Sequence, residues 1–352
     1  MLYSRRFEGF LLGLIAIWLM PISPAGAVER QQIRVVGSST VYPFVTAAAE
    51  QFGQAGEFRT PIVEAMGTGG GIKLFCEGIG ASKVDMANAS RKMTDSEREQ
   101  CRKNGVTEIV ELPIGYDGII LVNQKGATLL NLSKEQIFRA LARELPGADG
   151  ALVPNPYQRW NEIDASLPAV EIEMYGPPPT SGTRDAFSEL VMEKGCAEVK
   201  EFARLYPDDK VRKKMCHLMR EDGRYIESGE DDNIIIQKLS TNAGALGILG
   251  YGYYEENAGK VQAAKINGVM PSYDTIEDGS YKVSRSLYVY IKREHIGLVP
   301  GIAEFAREMI SEHASGSEGY MTAIGLLPLS PAQREQARAA VLSLSQRRIV
   351  RP

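Results

Sequence analysis

Along this chain, short runs rich in β-branched and aromatic residues alternate with stretches in which apolar positions recur every three or four residues. The runs predict strands at 33–37 (IRVVG), 60–65 (TPIVEA), 108–123 (EIVELPIGYDGIILVN), 170–176 (VEIEMYG), 244–252 (GALGILGYG) and 286–292 (SLYVYIK). The helical periodicity covers 41–53, 71–78, 94–104, 133–142, 183–194, 197–204, 232–240, 301–314 and 330–346. Two stretches rich in turn formers, 154–168 and 267–284, read as ordered loops. Strands alternating with helices predict an α/β fold with two lobes. The run at 108–123 is too long for one small sheet and carries Gly-Tyr-Asp-Gly at its middle, so it is expected to leave one sheet, cross a hinge and enter another. With residues 261–268 (VQAAKING) as the return crossing, the chain divides into a discontinuous first lobe, 28–115 with 265–352, and an inserted second lobe, 116–264, with a ligand cleft between them.

The first 27 residues stand outside this pattern. Arg5 and Arg6 precede the apolar run Phe10 to Met20, and Ala25 and Ala27 form a small-residue cleavage pattern, which reads as a secretory signal peptide (1–27). The run is too short to span a bilayer, no cysteine follows the cleavage site, and no transmembrane segment is expected in the mature chain. Export gives the four cysteines an oxidising compartment. Their short separations favour Cys76 with Cys101 and Cys196 with Cys216, one disulfide bond in each lobe.

Charge removes a class of partner. The chain carries 40 basic and 44 acidic residues, a net of −4. A nucleic acid partner is not expected, since its phosphates demand a basic face. Any anion must instead be held by local dipoles and a few placed arginines.

Three segments supply such dipoles: GSSTVYPF (37–44), GTGGGIKLF (67–75) and PPPTSGTRDAF (177–187). In each a strand gives way to small or hydroxyl residues and then to a helix, whose first amides lack partners inside the helix. One such segment is explained by ordinary helix capping. Three in one chain point to a ligand. Arg91 in NASRK and Arg184 in SGTRD each follow a hydroxyl residue and are read either as planar forks on one anion or as surface ion pairs. Asp117 is a carboxylate inside an apolar strand, where it needs a charged partner, a backbone donor or a ligand proton. Catalytic constellations are thin. The three histidines, His217, His295 and His313, lack metal-ligand spacing, and there is no G-x-S-x-G elbow, so neither enzyme chemistry, a metal nor a cofactor is expected.

The ordered set GSSTVYPF, GTGGGIKLF, VDMANASR, SGTRDAF and GEDDNIIIQKLSTNAGALGILGYGYY resembles the periplasmic phosphate-binding proteins of the PstS type, over essentially the whole mature chain. The resemblance implies a type II periplasmic-binding-protein fold, two α/β lobes closing on inorganic phosphate about a hinge. It also implies a monomer that passes its ligand to the membrane permease of an ABC importer. Carried over by position, it implies phosphate contacts from Ser39, Thr40 and Val41, from Thr68 and Gly69, and from Ser181, Gly182 and Thr183. Two positions depart from the pattern. Pro177 stands where many members have an arginine, for which Arg184 is the expected substitute, and Ser90, followed by Arg91, stands where many have a carboxylate. The alternatives on the same fold are an adhesion or matrix protein and a binder of arsenate, sulfate or a phosphonate.

Overall fold

The computed structural model describes residues 30–345, with the exception of 180, 230 and 231; the expected signal peptide lies outside the described residues. Nine strands form one sheet: β1 (Arg34–Gly37), β2 (Ile62–Ala65), β3 (Met86–Ala89), β4 (Ile109–Gln124), β5 (Met174–Gly176), β6 (Tyr225–Glu227), β7 (Leu246–Gly250), β8 (Val261–Ala263) and β9 (Ser284–Lys292). Their spatial order is β2-β1-β3-β9-β4-β7-β5-β6, with β8 also on β4. The sheet has two parallel wings, β2-β1-β3 and β7-β5-β6, joined by the antiparallel pair β9 and β4. The sheet topology, with helices connecting its parallel strands, makes this the expected mixed α/β fold.

Strand β4 serves both wings, because its sixteen residues are apolar enough to be buried in each. Residues 109–118 pair with β9, and residues 119–124 pair with β7 and β8. The changeover falls at Gly115–Gly118. A Cβ on Gly115 would lie 2.5 Å from the Leu327 carbonyl oxygen, so only glycine lets the segment that bridges Tyr116 and Leu327 approach the strand. The return crossing comes later than residues 261–268: β8 still pairs with β4, Lys265–Ile266 runs beside Asn131–Leu132, and the Tyr281 hydroxyl donates to the Ile119 carbonyl. The chain re-enters the first wing at Val283–Ser284, where β9 begins opposite Gly118.

Most expected elements are present within a few residues. Several were not foreseen, among them strands β3 and β6 and the helices Asp209–Cys216 and Tyr251–Glu256, the last of which begins inside the expected strand 244–252. Strand β3, Met-Ala-Asn-Ala, lacks the β-branched residues that signal a strand; it is buried on both faces and small side chains suit it. The predicted loops at 154–168 and 267–284 contain short helices, Trp160–Ile163 and Tyr273–Glu277, the second opened by a Ser272 capping box. Both disulfides pair as expected, Cys76 with Cys101 and Cys196 with Cys216. The first ties helix α2 (Thr68–Phe75) to the helix Asp95–Lys103 around a small core of Val36, Ile72, Phe75 and Tyr290, apart from the large core of the molecule.

Candidate functional site

In a parallel α/β wing the ligand site lies beyond the carboxyl ends of the strands. Here the carboxyl ends of both wings face one place. The turn Ser38–Val41 follows β1, Ser90 and Arg91 follow β3, Pro177–Thr183 follows β5, and β7 ends at Gly250. Between the wings lies a cleft of about 300 Å³ lined by Ser39, Thr40, Asp117, Ser181, Gly182 and Thr183, with Asp232, Tyr253 and Ile324 at its margin. A Cβ on Gly182 would lie 3.5 Å from Thr40 Cα, so the two turns meet backbone to backbone.

The hydroxyls of the first turn do not cap their helix. Helix α1 (Tyr42–Gln54) begins after Val41 with Pro43 in its first turn and no side-chain cap. Ser39 Oγ instead donates to Asp185 Oδ2 across the cleft at 2.7 Å, and Thr40 Oγ1 accepts from Arg285 Nη2 at 2.6 Å. In the second turn Ser181 caps the helix α3 (Gly182–Phe187), accepting from the Thr183 amide at 3.2 Å. Six of the expected site residues thus share the cleft, and Val41 is buried directly behind its first turn.

Asp117 has the partner that its position demands. Arg285 lies directly opposite it in the β4–β9 register, and Arg285 Nε donates to Asp117 Oδ2 at 3.3 Å. The guanidinium, 8% exposed, also bonds Glu189 Oε2 through Nη1 at 2.5 Å. Burial pushes the Asp117 carboxyl above its ordinary range; Arg285 pulls it back, and Glu189 adds to the upward push. Sequence reasoning missed Arg285, which nothing in its local stretch marks. It also missed Asp232, buried at the start of the helix Asp232–Thr241, where Oδ2 accepts from the Gly250 amide at 3.3 Å.

The other candidates lie elsewhere. Arg184 turns away from the cleft: its guanidinium stacks 4.4 Å from the Tyr225 ring centre, donates to the Pro177 carbonyl and borders a separate cavity with Ser188 and His217. The reason is helical geometry. Asp185 faces the first wing, and its neighbour, rotated by about 100° around the axis, is directed to Tyr225 and Pro177 instead. Thr68 and Ser90 bond each other at 3.1 Å, and the Ser90 amide donates to the same Thr68 hydroxyl. Arg91 forms a bidentate pair with Glu97 at 2.8 and 2.9 Å and is 44% exposed. Gly69 borders a separate pocket between α2 and the helix Asp95–Lys103. No group of metal-binding side chains occurs among the described residues.

Comparison with known proteins places this geometry. Residues 23–313 match the model of the PBP superfamily domain. Protein SphX of a Synechocystis species is 32% identical over 93% of this chain and 86% of its own length. The phosphate-binding protein PstS of Staphylococcus saprophyticus is 28% identical over 82% of this chain and 78% of its own. A crystal structure described as "a possible phosphate binding protein" from Planctomyces limnophilus superposes with a TM-score of 0.71 at 27% identity, covering 90% of this chain and 99% of that one.

Proposed function

Since the chain belongs to the PBP superfamily, among the relatives of SphX and PstS, we propose that it captures inorganic phosphate in the cleft between its two wings and delivers it to the permease of an ABC importer. The observation that carries this reading is the meeting of two hydroxyl-bearing turns, one from each wing, over a buried guanidinium that already donates to Thr40. Such a site holds a tetrahedral anion with little net charge: each hydrogen bond to it contributes about 1.5–3 kcal/mol, several of them offset its dehydration, and a micromolar affinity needs a net of about 8 kcal/mol. The start of α1 contributes fewer amide donors than its sequence implies, because the Tyr42 amide already donates to the Ser38 carbonyl and Pro43 has no N–H.

In this reading the wings are lobes that close about β4 and the start of β9, and the protein carries its ligand without altering it. Export by the expected signal peptide puts it in the periplasm, and no helix among the described residues is long and apolar enough to cross a membrane. Titration calorimetry on protein unfolded, freed of ligand and refolded tests the reading, with phosphate, arsenate and sulfate as separate titrants. Micromolar or tighter binding of phosphate is expected. No heat and no thermal shift at millimolar phosphate would overturn it.

A further inference from the structure

Arg285 is shared among three parts of the molecule. Nη2 serves Thr40 on the first wing, Nε serves Asp117 at the changeover of β4, and Nη1 serves Glu189 on the second wing. A guanidinium offers two donor edges to a tetrahedral anion, Nη1 with Nη2 or Nε with Nη2. Each of those edges already contains engaged donors. Three of its five N–H donors are taken, one on each nitrogen, so an anion that approaches Arg285 competes with the present acceptors for the cation.

The three acceptors differ in how they are held. Thr40 is buried, and the Asp117 side chain is 14% exposed within a central strand. Glu189 is 52% exposed and stands on a π-helical turn, Ser188–Met192, inserted between two α-helical segments. Its carboxylate can return to water at low cost, whereas the Thr40 hydroxyl and the Asp117 carboxylate cannot. π-helical turns interrupt the regular hydrogen-bond ladder and are frequent where a side chain has functional work. Asp185 lies four residues before Glu189, on the same side of the helix, and accepts from Ser39. The pair therefore fastens one helix of the second wing onto the binding turn and the cation of the first.

We propose that Glu189 is an internal counter-ion: its carboxylate holds Arg285 and draws the wings together until an incoming anion displaces it from the guanidinium. The affinity for phosphate is then set partly by this competition, and the closure of the free protein partly by this bond. The competition rests on the phosphate reading above; the fastening does not.

The test uses the full chain with Glu189→Gln, which keeps the shape and removes the charge. Glu193→Gln serves as the control, changing net charge equally while its carboxylate faces His217 and Lys213. Glu189→Gln should bind phosphate about three- to tenfold more tightly than the parent, with the control within twofold. By small-angle X-ray scattering, ligand-stripped Glu189→Gln should have a larger radius of gyration than either the parent or the control. Unchanged or weaker phosphate binding in Glu189→Gln, beside a parent that binds, overturns the competition. An unchanged radius overturns the fastening. A parent that binds no phosphate overturns the functional reading and the competition with it, and the scattering still decides the fastening.

Discussion

Two arginines, Arg184 and Arg285, are each more than nine-tenths buried, and their surroundings differ in a way that separates structure from function. Arg184 sits beside the Ser-Gly-Thr turn in sequence, yet it packs on Tyr225 behind the cleft. Arg285 is far from every binding turn in sequence, yet it reaches Thr40, Asp117 and Glu189. Nearness to a motif along the chain brings a residue to the motif's helix but does not choose its side. Register across an antiparallel pair does choose, because it fixes which residue stands opposite which.

The largest effect that tests this contrast is expected from Arg285→Ala, which removes the buried cation of the cleft and should weaken phosphate binding by about 2–4 kcal/mol, roughly 30- to 1000-fold by calorimetry. Arg285→Lys should recover only part of it, because an ammonium keeps the charge and loses the fork. Parental affinity in Arg285→Ala would collapse the contrast. Gly115→Ala attacks the register itself. Its new methyl would press on the Leu327 carbonyl and the Leu326 side chain, so a stability loss of about 1–3 kcal/mol is expected in chemical denaturation, with phosphate affinity falling alongside.

Arg184→Ala should separate the two readouts. Losing the ring contact and the bond to Pro177 should cost about 1–2 kcal/mol of stability, while phosphate affinity stays within about threefold. A large loss of affinity in this variant would return Arg184 to the site. The smallest effect belongs to its neighbour. Burial raises the Tyr225 hydroxyl to about 12, against the pull of Arg184, and the hydroxyl donates to the Pro177 carbonyl. Its folded-state pKa lies above the unfolded one, so its contribution is fully present below pH 10 and is lost as pH rises through about 12. Melting curves of Tyr225→Phe against the parent should differ by about 1 kcal/mol at pH 8 and converge at the alkaline end.

The same contrast explains what could be read from the sequence. The turns Ser38–Val41 and Pro177–Thr183 were legible because a strand end, a run of small hydroxyl residues and a helix start are all local signals. Asp117 was legible as a carboxylate in want of a partner, since burial alone demands one. That the partner is Arg285 depends on the pairing of two residues 168 positions apart, nearly half of the chain, and no local pattern encodes it. Strand β3 escaped because its small residues answer to packing on both faces and not to β propensity. The side on which Arg184 would fall depended on helix phase, which a single residue of offset reverses.

Each half of the molecule closes its own disulfide, and all four cysteines are used in doing so. The folded, oxidised chain therefore offers no thiol to a maleimide dye. A substitution such as Ile324→Cys, at a position 43% exposed on the cleft margin, would introduce the one reactive site for a fluorophore. Emission from that label would follow the approach of the wings in real time, making the protein a reagentless optical sensor for the anion it closes on.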